Sequence, residues 1–237
     1  MGRTVAYIRP CRPLPQPQTP SLLHPALRIL PAGALLIAAA CTAKPKDAVT
    51  TKSADSSMAG HDMAGMNMAG MESHPITIPK GVMYTKADVE FMQGMIPHHA
   101  QAIFMSRLAK SHGASEYLQK FTQKIDQSQT AEIRIMQDWL TAKYQFAPDT
   151  ASYHHVHMAG MLTDEQIKQL DAARGKEFER LFLVFMIQHH EGALQMVTDL
   201  FAAPGAGQES DIGIFANDVR YVQTTEIQLM RQMLANL

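Results

Sequence analysis

A helix-forming segment occurs twice in this chain, and each copy carries a methionine followed by two adjacent histidines. The first copy reads Met95-Ile-Pro-His98-His99, and the second reads Met186-Ile-Gln-His189-His190. A second block follows each copy in the same order: Gln129-Thr-Ala-Glu132-Ile-Arg-Ile-Met136, then Gln223-Thr-Thr-Glu226-Ile-Gln-Leu-Met230. Two blocks that recur in order indicate a duplicated supersecondary unit. The fold is therefore expected to consist of two similar halves, each rich in imidazole and thioether.

Apolar residues recur at helical spacing through both copies and their partner blocks. Thr85 and Thr163 each begin a capping-box pattern, which marks the start of a helix. We predict long helices over residues 85–110, 115–143, 176–203 and 209–235, with a short helix over 163–174. No segment has the pattern of a strand. Two helical hairpins packed together predict an all-α fold, a four-helix bundle spanning residues 81–237.

The first 41 residues have the pattern of an export signal. An apolar stretch over residues 29–40 follows Arg28, and it is too short to span a bilayer comfortably. Ala38-Ala39-Ala40-Cys41 resembles a bacterial lipobox, which predicts Cys41 as the lipidated first residue of the mature chain. The alternative is a secretory signal cut near Ala40. In either case we expect an exported bacterial protein, periplasmic or membrane-anchored, whose contact with a membrane is limited to the signal peptide or lipid anchor.

Residues 42–80 have no hydrophobic periodicity and are expected to form a disordered tether. The tether contains a Met-Ala-Gly array, and a further copy lies in the loop between the two repeats. Glycine at this frequency opposes a stable helix, so we expect these methionines to be exposed, without a packing role. A neutral repeat expansion is the alternative to metal capture. The predicted auxiliary capture residues are Met58, His61, Met63, Met66, Met68 and Met71 in the tether, with His155, His157, Met158 and Met161 in the loop.

Composition narrows the classes of partner. The formal net charge is −1, which gives no reason to expect nucleic acid. The chain has 17 Met and 11 His but only 2 Cys, and neither Cys lies in the repeats. A disulfide framework and a thiolate zinc site are therefore not expected.

The spacing of the repeated residues places potential metal ligands on one broad face of each helix. We predict that each hairpin brings a carboxylate, two thioethers and one or two imidazoles to one point inside the bundle. Periodicity leaves open which histidine of each pair points inward. The predicted ligands are Met95, His98, His99, Met105, Glu132 and Met136 in the first half, with Met186, His189, His190, Met196, Glu226 and Met230 in the second.

Thioether and imidazole together favour copper, particularly Cu(I), with Cu(II) as a possible second state. Zinc sites normally use Cys, His and carboxylate, and calcium or magnesium sites are rich in oxygen. The alternative is a structural role, since buried histidines are often simply hydrogen-bonded and methionine often fills cores. In that case Glu132 and Glu226 would satisfy the imidazoles.

The two histidine motifs, with Ala102 and Ala193 and the Glu/Met block after each, resemble the DUF305 family. The resemblance covers residues 86–237. It implies an exported, ferritin-like four-helix bundle whose characterised relatives bind copper in the periplasm, and it implies the histidine pairs with Met95, Met105, Met186 and Met196 as ligands. We therefore expect a protein that sequesters copper or passes it to a copper exporter or periplasmic chaperone. The alternatives are a metal-dependent oxidase, although no catalytic constellation is visible, and a metal-free structural or interaction bundle.

Overall fold

Helices account for most of the chain that the computed structural model describes, residues 74–237. The α-helices are α1 (Lys86–Ser111), α2 (Glu116–Ala142), α3 (Asp164–Ala172), α4 (Gly175–Ala202) and α5 (Ser210–Ala235). A 3-10 helix, Thr150–His154, lies in the connection between α2 and α3. Residues 74–237 contain no β-strand. The structure confirms the predicted all-α, ferritin-like four-helix bundle and adds the 3-10 helix.

The helix starts follow from local side-chain chemistry. The Thr85 side chain accepts a hydrogen bond from the Asp88 backbone N–H, and the Asp88 carboxylate accepts one from the Thr85 backbone N–H. The same reciprocal capping box joins Thr163 and Gln166 at the start of α3. Such caps satisfy backbone donors that the first helical turn leaves free. Both predicted capping boxes are confirmed.

Two helical hairpins, α1 with α2 and α4 with α5, form the bundle, and α1 packs against α4 at its centre. At one end, the Gly207 backbone N–H donates to the Asp88 carboxylate at 2.7 Å. At the other end, the Gly175 backbone N–H donates to the His112 carbonyl at 2.8 Å. The start of α1 thus lies beside the end of α4, and the end of α1 beside the start of α4. The two repeated helices are antiparallel.

The apolar core consists of two clusters that lie on either side of the bundle centre. The first cluster includes Phe91, Ile96, Leu140 and Phe215. The second cluster includes Ile125, Phe178, Phe182 and Leu183. Each cluster draws residues from both hairpins, so neither hairpin buries its apolar face without the other.

Residues 74–80, which the sequence analysis assigns to the tether, lie against the bundle. Ile76 and Ile78 are partly buried and pack against the first cluster. The Gln145 side chain donates a hydrogen bond to the Thr77 carbonyl at 2.9 Å. The two isoleucines explain the difference, because they bury apolar surface that the polar residues before them do not have. The predicted tether is therefore wrong for its last seven residues.

Several predicted features lie outside the described residues. These are the signal peptide with Cys41 and the tether residues Met58, His61, Met63, Met66, Met68 and Met71. Among the helices within residues 74–237, none combines the length and apolar character needed to span a bilayer.

Candidate metal centre

Four histidine side chains lie at the centre of the bundle and are fully buried: His98 and His99 on α1, and His189 and His190 on α4. The rings of His98 and His189 are in contact, with centroids 3.9 Å apart. These two residues occupy the same position in the two repeats, so their contact marks the axis that relates the two halves. Both histidines of each pair point inward, which periodicity alone does not determine.

Two of the four rings are held by carboxylates from the partner helices. The Nε2 of His99 lies 2.6 Å from Oε2 of Glu132, and the Nε2 of His190 lies 2.7 Å from Oε2 of Glu226. The Glu side chains are 21% and 16% exposed, so they lie between the buried rings and solvent. The two carboxylates are thus partners of the imidazoles, the role that the sequence analysis gives as an alternative to metal ligation.

The remaining two rings differ from each other. The Nε2 of His98 donates to the carbonyl of Ala159 at 3.1 Å, in the connection between α2 and α3. Both nitrogens of His189, the equivalent residue, are buried and lack a hydrogen-bond partner within the described residues. The two halves therefore depart from symmetry at the axis.

Five buried ring nitrogens have no hydrogen-bond partner in the described part of the chain. They are Nδ1 of His98, His99 and His190, and both nitrogens of His189. A carbonyl and an ionised carboxylate only accept hydrogen bonds, so Nε2 carries the hydrogen in each anchored ring. In the neutral ring the lone pair is then on Nδ1, which is free. A buried polar atom left without a partner costs about 1–3 kcal/mol, so this concentration of free nitrogens needs an explanation.

Burial also keeps the rings of His98 and His189 neutral. The pKa of His98 is lowered from 6.5 to about 3, mainly by burial and then by the neighbouring His99, whereas the hydrogen bond to Ala159 acts in the opposite direction. The pKa of His189 also lies well below 6.5, mainly because of burial and then because of the neighbouring His98. Neutral imidazole is the form that binds metal ions.

The predicted thioether ligands are all buried, and two of the three from each hairpin share one cluster. Met95 and Met136 of the first hairpin share the first cluster with Met196 of the second. Met186 and Met230 of the second hairpin share the second cluster with Met105 of the first. Each hairpin thus brings two of its own predicted thioethers into one cluster, and its third, Met105 or Met196, lies in the cluster of the other hairpin. The reason is the antiparallel arrangement of α1 and α4, which places the beginning of one helix beside the end of the other.

The auxiliary residues of the loop fall into two groups. His155 and His157 are exposed, as a capture role for them requires. Met158 and Met161 are only 6% and 7% exposed and belong to the first cluster. The prediction of exposed methionines is thus wrong for this copy of the Met-Ala-Gly array, because the loop that carries it packs onto α1 and α4.

Two buried glutamines were missed by the sequence analysis. Gln129 and Gln223 occupy the same position in the two partner blocks, and each is 2% exposed. Oε1 of Gln129 and both side-chain polar atoms of Gln223 are without a hydrogen-bond partner in the described residues. Their presence in both copies of the block was the signal that could have identified them.

No three His, Cys, Asp or Glu side chains within residues 74–237 form a group that could hold a metal ion. The potential donors gathered around the bundle centre are the free ring nitrogens and the methionine sulfurs of the two clusters.

Fold and centre together define a class of duplicated four-helix bundles with a buried histidine pair on each of two facing helices. The family model described as "Domain of unknown function (DUF305)" matches residues 88–234. The chain belongs to the DUF305 family.

Solved structures of DUF305 proteins are similar to this chain. A DUF305 protein of Streptomyces coelicolor is 27% identical, with a TM-score of 0.56 over 63% of this chain and 93% of that chain. A DUF305 fragment from Deinococcus radiodurans is 27% identical, with a TM-score of 0.58 over 65% of this chain and 99% of that chain. CopM in its Cu(I)-bound form is 26% identical, with a TM-score of 0.52 over 63% of this chain and 96% of CopM. No curated protein matches the chain.

Proposed function

We propose that this chain is an exported copper-binding protein that holds Cu(I) in the core of the bundle. In that role it sequesters copper outside the cytoplasm or passes it to a copper exporter or periplasmic chaperone. The observation that carries the proposal is the set of five free, buried ring nitrogens on His98, His99, His189 and His190. A neutral imidazole binds a metal through one nitrogen, so soft cations held by one lone pair per ring would offset most of the cost of burying these nitrogens without partners.

The carboxylates have a defined role in such a site. Histidines that bind metals commonly donate the other ring N–H to a carboxylate or a carbonyl, which fixes the orientation and tautomer of the ring. Glu132 and Glu226 supply that contact to His99 and His190. We therefore place both glutamates next to the ligands rather than among them.

The donor set favours copper over other ions. The six methionines predicted as ligands are buried in the two clusters: Met95, Met105, Met136, Met186, Met196 and Met230. Thioether with imidazole suits Cu(I), whereas zinc prefers thiolate, imidazole and carboxylate. The similarity to CopM, which has a Cu(I)-bound structure, supports the same ion.

Two further elements fit this role. Copper would be captured near the surface, more weakly than in the core, by the exposed His155 and His157. The methionines and the histidine predicted for the tether would act in the same way. Export itself is supported by the leader-like residues 1–41, which include the predicted lipidation site Cys41.

A Cu(I) titration against a competing chelator tests the proposal. The chain starting at residue 42 should bind Cu(I) tightly and Zn(II) weakly. Replacing His98, His99, His189 and His190 together by Gln should remove the tight sites, with helicity unchanged by circular dichroism.

The control variant is His112→Gln. His112 is also buried, but both of its ring nitrogens have hydrogen-bond partners, so tight binding should survive this change. An oxidase assay on the copper-loaded protein addresses the enzyme alternative. Unchanged copper affinity in the folded four-histidine variant would contradict the proposed core site.

A further inference from the structure

The connection between α2 and α3 crosses the bundle centre as an irregular segment over residues 156–162, which we term the strap. Its backbone is bound to side chains of α1. The His98 ring donates to the Ala159 carbonyl at 3.1 Å. The Gln101 side chain donates to the Leu162 carbonyl at 3.1 Å and accepts from the Leu162 backbone N–H at 2.7 Å. These three bonds fix the strap directly beside the histidines.

The strap also touches α4 backbone to backbone. A Cβ atom added to Gly192 would lie 2.0 Å from the Ala159 carbonyl oxygen, and one added to Gly160 would lie 2.6 Å from the Gly192 Cα. Gly160 has a φ of +77°, a conformation that side chains of other residues rarely permit. Glycine at both positions is therefore a condition for this contact.

The strap gives thioethers to one cluster only. Met158 and Met161 lie in the first cluster, with Met95, Met136 and Met196. The second cluster contains Leu162 from the strap but neither of these two methionines. The numbers of thioethers in the two clusters are therefore unequal. The repeats already differ by one, because Met92 of the first cluster is equivalent to Leu183 of the second, and the strap adds two more to the first cluster.

The strap also anchors one of the two histidines whose rings are in contact, and not the other. It binds His98, whereas both nitrogens of its equivalent His189 have no partner in the described residues. The hydrogen bond already holds the His98 ring, and so its Nδ1, in one orientation. Metal binding at Nδ1 therefore costs less side-chain conformational freedom than binding at an unanchored ring.

We propose that the strap is a third ligand-bearing element, which makes two unequal sites for a soft monovalent cation out of a duplicated bundle. The tighter site lies on the strap side, with Met158 or Met161 sulfur added to the donors of the first cluster and to Nδ1 of His98. The weaker site lies in the second cluster and depends on Met105, Met186 and Met230. This inference rests on the proposed copper function and specifies the composition of its sites.

Silver titration of the unaltered mature protein tests this directly, because Ag(I) is a soft monovalent ion without redox chemistry. Methionine methyl groups labelled with carbon-13 report on ligation of each sulfur by NMR. The Met158 or Met161 methyl should shift with the first equivalent of Ag(I), and the Met186 methyl only with later ones. Met233, which packs at the edge of the second cluster, is the matched control and should not shift at the first equivalent.

Two variants extend the test. Met158→Leu with Met161→Leu keeps the core volume similar and should weaken the first Ag(I) site at least about tenfold, whereas Met233→Leu should not. Gly192→Ala removes no ligand but displaces the strap, and it should weaken the same site by about 10–100-fold. In that variant the nitrogen-15 shifts of the His98 ring should change, because Nε2 loses its carbonyl acceptor.

The outcomes separate the two proposals. If the first Ag(I) equivalent depends on the four histidines but leaves the Met158 and Met161 methyls unshifted, the strap inference is overturned and the copper function survives. If the unaltered protein binds no soft cation, both are overturned. The NMR titration uses the unaltered chain, so it decides the matter even if a variant fails to fold.

Discussion

Acidification of the metal-free protein from pH 7 to pH 5 should destabilise it through the buried His98. In the folded chain the pKa of His98 is about 3, so the ring stays neutral over this interval. In the unfolded chain its pKa returns to about 6.5, and the ring becomes protonated. The unfolded state then binds more protons than the folded state, so stability falls as the pH falls.

The magnitude depends mainly on the unfolded chain, because pH 5 lies well above the pKa of the folded protein. An unfolded-state pKa of about 6.5 gives a loss of about 2 kcal/mol from this one group between pH 7 and pH 5. His189 contributes in the same direction, since its pKa is also lowered by burial. The ring of His98 is fully buried, so solvent does not screen the effect.

Urea unfolding at both pH values, followed by circular dichroism and by the fluorescence of the single, buried Trp139, measures this loss. With a chelator present, His98→Gln should lose about 2 kcal/mol less than the unaltered protein between pH 7 and pH 5. Any constant cost of the substitution cancels in this difference. The exposed His157→Gln is the control and should keep the unaltered response. An equal loss in His98→Gln and in the unaltered protein would refute the reasoning.

Three further predictions concern other parts of the molecule. Glu132→Gln should lower Cu(I) affinity by about 10–100-fold in a chelator competition, whereas the exposed Glu191→Gln should not, and equal effects would contradict the positioning role. Asp88→Ala removes three hydrogen bonds to a buried carboxylate and should cost about 3 kcal/mol in urea unfolding; a cost below about 1 kcal/mol would disprove its importance. Deleting residues 42–73 should leave the thermal midpoint unchanged, whereas deletion through residue 80 should cost about 1–3 kcal/mol, because Ile76 and Ile78 pack on the bundle. Equal midpoints for the two deletions would contradict that packing.

The helices could be predicted from the sequence because their causes are local. Each capping box lies within four residues, and the apolar spacing of α2 or α4 is visible along one segment. The observed helix ends accordingly lie close to the predicted ones. The burial of all four histidines was only partly predictable, because it depends on how α1 faces α4 and not on either helix alone.

The strap shows where local reasoning fails. Met158-Ala-Gly-Met161 has the composition of the tether array, and its glycine alone predicts an exposed loop. In the structure the same glycine allows the loop backbone to lie against Gly192 of α4, which buries both methionines. The decisive partner lies 32 residues further along the chain than Gly160 and in another helix, so no local pattern indicates it. Met105 and Met196 each lie in the cluster that holds two methionines of the other hairpin. The cause is similar, because α1 and α4 are distant in sequence and pack antiparallel.

Duplication and the strap together explain why the centre is asymmetric. A repeated residue that lies on the axis between two halves meets its own equivalent, as His98 meets His189. The connection between α2 and α3 occurs once and has no equivalent in the other half. Its backbone therefore cannot bind both rings in the same way. The carbonyl of Ala159 accepts the hydrogen bond of His98, and both nitrogens of His189 have no partner among residues 74–237. A crossover that occurs once and passes the axis is therefore one cause of inequality between the two halves, here added to the difference between Met92 and Leu183 in the repeats themselves.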